Sequence, residues 1–272
     1  MQGCKFLGKG GGMPELPEVE GFRKTLESTS LGMEIGEVEV LNSKVLDHIS
    51  ASQLSSALKQ KSFSGSQRHG KYLLVRAGRE LWVTFHFGMT GFFRFCETGE
   101  KREKHDRVVF IFSKGTCLSF NDQRLFGRVG LVSSPQEFIS LHKLGPDALS
   151  ITENDFFSAI EGKNREIKVV LMDQELMAGM GNEYSDQILY EAGIFPGRRV
   201  SDLSGVEMKK LYTKMRYVLT VASRSRKSGE ELSGMFMLKN RKKGIKCPRC
   251  TSTVQAEKFG GRTGYYCPQC QV

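Results

Sequence analysis

The feature that most restricts this chain lies at its end. There "CPRCTSTVQAEKFGGRTGYYCPQC" sets Cys247, Cys250, Cys267 and Cys270 in a C-x2-C-x16-C-x2-C spacing. Each C-x-x-C turn offers two sulfurs to one point, and the 16-residue insert is long enough for a β-hairpin. Four thiolates complete a tetrahedral zinc shell and leave no open position. The spacing therefore predicts one structural Zn2+ that folds the module and does no chemistry. Free or redox thiols are the competing reading, and the spacing weighs against it. Arg262 falls near the hairpin tip, where it could reach a phosphate; an exposed solubilising arginine is the alternative. Cys4, Cys96 and Cys117 are scattered, unlike a secreted disulfide framework.

Ahead of this module the hydrophobic pattern changes once. "PELPEVEGFRKTLES" reads as a helix, with Pro17 in the first turn, Glu15, Glu18 and Glu20 at the positive end, and Val19, Phe22 and Leu26 as an apolar stripe. From about residue 32 to 133 follow short β-type runs: "EIGEVEVL", "KYLLVRA", "ELWVTFHF", "GFFRFC", "RVVFIFS", "TCLSF" and "RVGLVS". They predict a sandwich or barrel, with "SASQLSSALKQK" as a helical insertion. "KLGPDALS" is a breaker-rich hinge, and four helical patterns follow it, the first opened by Thr152 as N-cap. The fold class is α+β and multidomain. The expected division is a flexible extension or remnant at 1–12, a β-domain at 13–145, a helical domain at 146–232, and a linker with the cysteine module at 233–272.

Charge narrows the partner. The chain has 40 basic and 30 acidic residues, yet residues 198–250 alone hold 15 Lys or Arg against 4 Asp or Glu. A basic region on a near-neutral body points to a polyanion, nucleic acid first, although a solvated charged face reads the same. No apolar run approaches the roughly 18 residues of a membrane span. The first twelve residues lack a secretory apolar core. The expected location is intracellular.

"LMDQELMAGMGNEYSDQILYEAGI" adds a possible phosphate site. Gly179 and Gly181 permit close backbone approach, Asn182 stands at the next helix N-cap, and Lys168 lies on the preceding helix. A Gly–Asn pair before a helix is usually only a cap.

Together "MPELPEVE", "HFGMTG", "NDQRLFGR", "GMGNEYSDQILYEAGI" and "GYYCPQCQ" resemble the formamidopyrimidine-DNA glycosylase / endonuclease VIII family, in the same order, from Met13 to the end. The resemblance implies a β-sandwich, a helix–two-turn–helix domain and a zinc finger, acting as a monomer on damaged double-stranded DNA without an organic cofactor. In a bacterium that means the cytoplasm or nucleoid. It implies a bifunctional glycosylase and abasic-site lyase whose nucleophile is an N-terminal proline, here Pro14. Glu15 would be the general acid, with Glu18 supporting the amine, although both also suit simple helix-dipole complementation. Lys71 and His86 would meet phosphate near the lesion. Met89 would be wedged into the gap left by the flipped base, with Arg124 and Phe126 as partners; core packing is the plain alternative for Met89 and Phe126.

The terminus matters chemically. An α-amino group with a pKa of about 8 is neutral in roughly one molecule in ten at pH 7, against about one in 2,500 for lysine. Inside a peptide bond Pro14 has no such lone pair, and twelve residues precede Met13. Two departures concern the substrate. The stretch "KSGEELSGMFMLKNRKKGIK" is short and lacks the family's Gly/aromatic loop over a flipped 8-oxoguanine, and Gln123 stands where many members have proline. An endonuclease VIII-like preference for oxidised pyrimidines, or a non-catalytic zinc-finger damage binder if Pro14 stays blocked, are the rival readings.

Overall fold

The computed structural model describes residues 13–97, 99–228 and 236–272; the extension 1–12 and residues 229–235 of the short loop lie outside the described residues. Two compact units emerge, Met1–His142 and Lys143–Val272.

The first unit opens with α1 (Leu16–Ser30), followed by β1 (Ile35–Val40) and α2 (Ala51–Leu58). Next come β2 (Gly65–His69), β3 (Tyr72–Gly78), β4 (Leu81–His86) and β5 (Phe92–Glu97). β6 (Asp106–Phe112), β7 (Thr116–Asn121), β8 (Arg128–Val132) and α3 (Pro135–Leu141) complete it. Two four-stranded sheets form, ordered β1-β6-β7-β5 and β2-β3-β4-β8, and every strand pairing in them is antiparallel. Ser50 caps α2 in a reciprocal box with Gln53, which explains a helix amid β-type sequence.

Phenylalanine fills the interior. Phe63, Phe85, Phe87, Phe93, Phe110 and Phe120 are buried from both sheets. Several rings meet edge to face, as Phe85 and Phe93 do at 5.0 Å between centroids. The stripe of α1 seats in this core, its Phe22 ring 4.4 Å from Phe87 and 6.4 Å from Phe93. That seat fixes where the helix begins.

Two elements escape the sequence pattern. β2, "GSQRH", has no apolar alternation and is half-buried throughout, because an edge strand with α1 beside it needs pairing more than hydrophobicity. α3 starts on a Ser134 cap with Pro135 in its first turn, and its brevity hides its period. The cysteines also differ from the scattered pattern: Cys96 and Cys117 lie opposite each other on β5 and β7 and are joined as a disulfide.

The second unit holds α4 (Glu153–Ile160), α5 (Ile167–Met172), α6 (Asn182–Ala192), α7 (Gly205–Ser228) and α8 (Phe236–Lys239). It ends in the hairpin of β9 (Gln255–Phe259) and β10 (Arg262–Tyr266). Thr152 caps α4 as expected, accepting from Asp155 N–H at 3.1 Å. No helix among the described residues is long and apolar enough to cross a membrane.

Replacing Phe22 by alanine should remove about 3–5 kcal/mol of stability and loosen the start of α1. Urea unfolding with amide exchange of residues 16–20 checks this; an unchanged midpoint would place the anchor elsewhere.

Candidate nucleic-acid interface and metal centre

The start of α1 concentrates three carboxylates, and their surroundings separate them. Glu15 is the N-cap, fully buried, and its N–H donates to Glu18 Oε2 at 3.0 Å. Pro14, next to it, is also buried. Glu20 is committed elsewhere: Arg23 Nη2 lies 2.7 Å and Arg68 Nε 3.3 Å from its carboxylate. Burial of Glu20 works against its charge, but the hydrogen bond and charge of Arg23, with Arg68, still hold the carboxyl below its usual range. Glu15 and Glu18 therefore form a reciprocal capping box at the helix start.

Met89, Arg124 and Phe126 share one exposed rim of the first unit. Met89 is 39% and Phe126 48% exposed, so neither is core, and the Arg124 guanidinium sits 4.9 Å from the Phe126 ring centre. Buried Asp122 ties their two loops together. Its Oδ1 accepts from the Thr90 hydroxyl at 2.5 Å and Arg124 N–H at 3.2 Å, while Oδ2 accepts from Gly127 N–H at 2.7 Å. The loops approach so closely that a Cβ on Gly88, at φ +58°, would stand 2.5 Å from the Phe126 carbonyl carbon. Leu125 between the two presenting residues holds φ +60°, a costly conformation for a branched side chain.

Lys71 lies in the two-residue turn between β2 and β3, after Gly70 at φ +56°. His86 ends β4 opposite Tyr72, with ring centroids 4.8 Å apart. Burial first, then the positive charge of Lys71 and Arg128, pushes the imidazole down to about 4. His86 is therefore neutral at pH 7. Its Nδ1 accepts from Gly88 N–H at 3.3 Å, which leaves Nε2–H as its only donor.

Lys168 corrects the sequence reading. It is completely buried, and Nζ reaches Asp186 Oδ1 at 2.6 Å, Ser185 Oγ at 2.7 Å and the Asn182 carbonyl at 3.0 Å. Three acceptors use the three ammonium protons, so the side chain braces α6 from within. Asn182 is likewise the first helical residue; the cap is Gly181. Asn182 Nδ2 donates to the Thr263 carbonyl on β10 at 3.0 Å, because the hairpin packs against this helix start. Arg241 closes the group, 3.1 Å from Asp186 Oδ2 and 3.3 Å from Glu183 Oε1, with its guanidinium 5.3 Å from the Tyr265 ring centre. A Cβ on Gly264 would stand 2.8 Å from Lys168 Cε, so glycine there permits the packing. Arg262, at the start of β10, is exposed.

The four terminal cysteines converge. Their sulfurs all lie within 4.8 Å of one another, with Cys250–Cys267 at 3.4 Å and Cys247–Cys270 at 3.8 Å. A tetrahedron with Zn–S near 2.3 Å requires S···S separations of about 3.8 Å. The donor set fits one structural zinc. Tyr190 on α6 approaches Cys247 Sγ at 3.3 Å and carries the Arg249 guanidinium over its ring at 4.1 Å. Gln271 Nε2 donates to the Ile194 carbonyl at 3.0 Å, fastening the end of the module to the turn after α6.

Sequence reasoning missed Asp122, Thr90, Asp186, Arg241 and Tyr190 as positioning residues. Asp186 was within reach, four residues after Asn182 on one helix face. Arg241 was not, since "KNRKK" reads as solvated charge.

Comparison with known proteins places these features in one family. The formamidopyrimidine-DNA glycosylase N-terminal domain matches residues 13–129, its H2TH domain residues 144–233, and the zinc finger found in this glycosylase and isoleucyl-tRNA synthetase residues 244–272. Formamidopyrimidine-DNA glycosylase of Ligilactobacillus salivarius is 36% identical over 275 residues, covering 96% of this chain and 99% of that protein. The Pelotomaculum thermopropionicum enzyme is 33% identical over 273 residues, covering 95% and 99%. The Lactococcus lactis enzyme bound non-covalently to DNA containing an AP site superposes with TM-score 0.86 at 30% identity, covering 95% of this chain and 99% of that one. MutM in complex with DNA containing carbocyclic 8-oxo-G superposes with TM-score 0.85, again at 30% identity with 95% and 99% covered. With its sandwich, its helical unit and its four-cysteine hairpin all matched, the chain belongs to the formamidopyrimidine-DNA glycosylase family.

Proposed function

We propose that this chain, once Pro14 is its first residue, is a bifunctional glycosylase and abasic-site lyase that removes oxidised purines from double-stranded DNA. The observation that carries the reading is the buried start of α1, where Pro14 adjoins the capping carboxylates Glu15 and Glu18. Solved relatives that hold AP-site DNA and 8-oxo-G DNA support the substrate class. We place the domain limits at 13–145, 146–232 and 233–272, and read the enzyme as an intracellular monomer, in the cytoplasm or nucleoid if the source is a bacterium.

In this mechanism the neutral Pro14 amine attacks the sugar C1′, and the bond to the damaged base breaks. The positive end of α1 lowers the amine pKa and enlarges the neutral fraction. Glu15 gives a proton to the deoxyribose ring oxygen as the ring opens, and Glu18 supports proton traffic at the amine. The resulting iminium is cationic without protonation and draws electrons from C2′, so eliminations cut the strand on both sides of the sugar. Met89 fills the emptied stack, and Arg124, steadied by Phe126, faces the orphaned base. Lys71, Asn182 and Arg262 hold phosphates, and His86 contributes a neutral N–H. Lys168 acts indirectly, by holding the turn that presents Asn182. The four-cysteine zinc shapes the hairpin that carries Arg262. While Pro14 nitrogen stays in a peptide bond it is an amide without a nucleophilic lone pair, and that form would bind damage without cutting it.

Glu15→Gln should slow excision of 8-oxoguanine far more than cleavage at a preformed abasic site, since the acid mainly assists sugar opening and base loss. Parallel single-turnover assays measure both steps, and equal losses would remove Glu15 from the acid role. Arg262→Ala should lower the slope of log K against log salt by about one, whereas His86→Ala should leave it unchanged at pH 7. A slope change for His86 instead would mean that the imidazole is charged on DNA.

A further inference from the structure

Cys96 and Cys117 are register partners across β5 and β7, their Cα atoms 5.0 Å apart. We propose that they form a reversible oxidation site whose closed, disulfide state clamps the edge strand β5 onto β7. This goes beyond the glycosylase reading and does not depend on it.

Position gives the pair its leverage. β5 is the outermost strand of β1-β6-β7-β5, so among the described residues it pairs in the sheet with β7 alone. The turn bearing Met89 runs into β5 at Phe92, and β7 runs out at Asn121 into the loop bearing Arg124 and Phe126. At that end Asp122 joins the two loops through Thr90 and Gly127. The opposite end, four residue pairs away from Phe92↔Asn121, is joined by the cysteines. At a rise near 3.4 Å per residue the two fastenings are about 14 Å apart. A two-stranded ladder fastened at both ends cannot fray from its free end.

The sulfur surroundings set how the chemistry proceeds. Both side chains are buried against Val109 and Ile111, so peroxide and reductant reach the sulfurs when the edge strand opens. Arg102 Nη1 lies 3.8 Å from Cys117 Sγ, and Glu39 Oε2 accepts from Arg102 Nε at 2.9 Å and holds it there. Cys117 is thus the sulfur beside the guanidinium, and we take it as the attacking group. Its thiolate displaces hydroxide from hydrogen peroxide, and the hydroxide takes a proton to become water, leaving a sulfenic acid. The Cys96 sulfur then attacks the sulfenic sulfur, losing its proton and expelling a second hydroxide as water. Two thiols and one peroxide become one disulfide and two waters. A dithiol reductant reverses the bond by exchange.

The test uses the zinc-loaded full chain, treated with hydrogen peroxide or with dithiothreitol, then alkylated in denaturant and digested with trypsin. Peroxide-treated protein should give residues 95–101 cross-linked to residues 115–124, and dithiothreitol-treated protein should give both peptides alkylated. Amide exchange in β5 should be about tenfold slower in the oxidised form. Cys96→Ser should abolish the cross-link and the exchange difference while leaving binding of abasic-site DNA in reductant unchanged. Alkylation of both cysteines after peroxide, or a cross-link that native protein keeps in dithiothreitol, would overturn the proposal. Mapping of the unsubstituted chain decides the matter even if the serine variant misfolds.

Discussion

Phe22 reaches from α1 into a core of phenylalanines and meets Phe87 at 4.4 Å. Phe87 is the residue from which the turn carrying Met89 departs, and Gly91 N–H returns to its carbonyl at 2.8 Å. One aromatic contact thus seats both the helix that begins beside Pro14 and the turn that carries Met89. Closely packed aromatic rings resist displacement, because a shift of even a fraction of an ångström loses dispersion contacts that nothing replaces. Glu15 can then be buried without drifting, since the helix start is set by packing behind it and by the Glu18 carboxylate in front. A capping carboxylate and the acid proposed for Glu15 ask for the same thing, a fixed oxygen at the positive end of a helix.

The second unit solves a related problem with charge. Lys168, Asp186 and Arg241 lie among the packed helices and hairpin, and a buried charge is tolerable only when paired and hydrogen-bonded. Removing one partner from such a group commonly costs about 3–5 kcal/mol. The return is geometric. Asn182 and the β10 strand that carries Arg262 are joined at one carbonyl, Thr263, so the phosphate contacts proposed for α6 and the hairpin move together. Arg249 and Gln271 repeat the fastening at the metal end of the module.

Much of this was legible in the sequence where local chemistry is self-contained. The cysteine spacing announced the hairpin, Thr152 announced α4, and seven apolar runs announced seven of the eight sandwich strands. β2 was not legible because its pairing comes from neighbours and not from its own side chains. At the site, Met89 and Phe126 were named by the family resemblance with core packing as the alternative, and only the fold shows that both are exposed. Lys168 was misread because a lysine near a phosphate motif looks the same whether its ammonium faces solvent or an aspartate eighteen positions on. Cys96 and Cys117 were obscured by their separation of 21 residues, which only strand register removes.

The account rests on the nitrogen of Pro14, and covalent trapping reports on it directly. Protein starting at Pro14 and protein retaining residues 1–12, each verified by intact mass, would be incubated with abasic-site DNA and borohydride, digested, and mapped. The account predicts an abundant adduct on the Pro14 peptide of the first protein and little adduct on the second. Equal trapping by both, or an adduct mapped to a lysine such as Lys71, would contradict it.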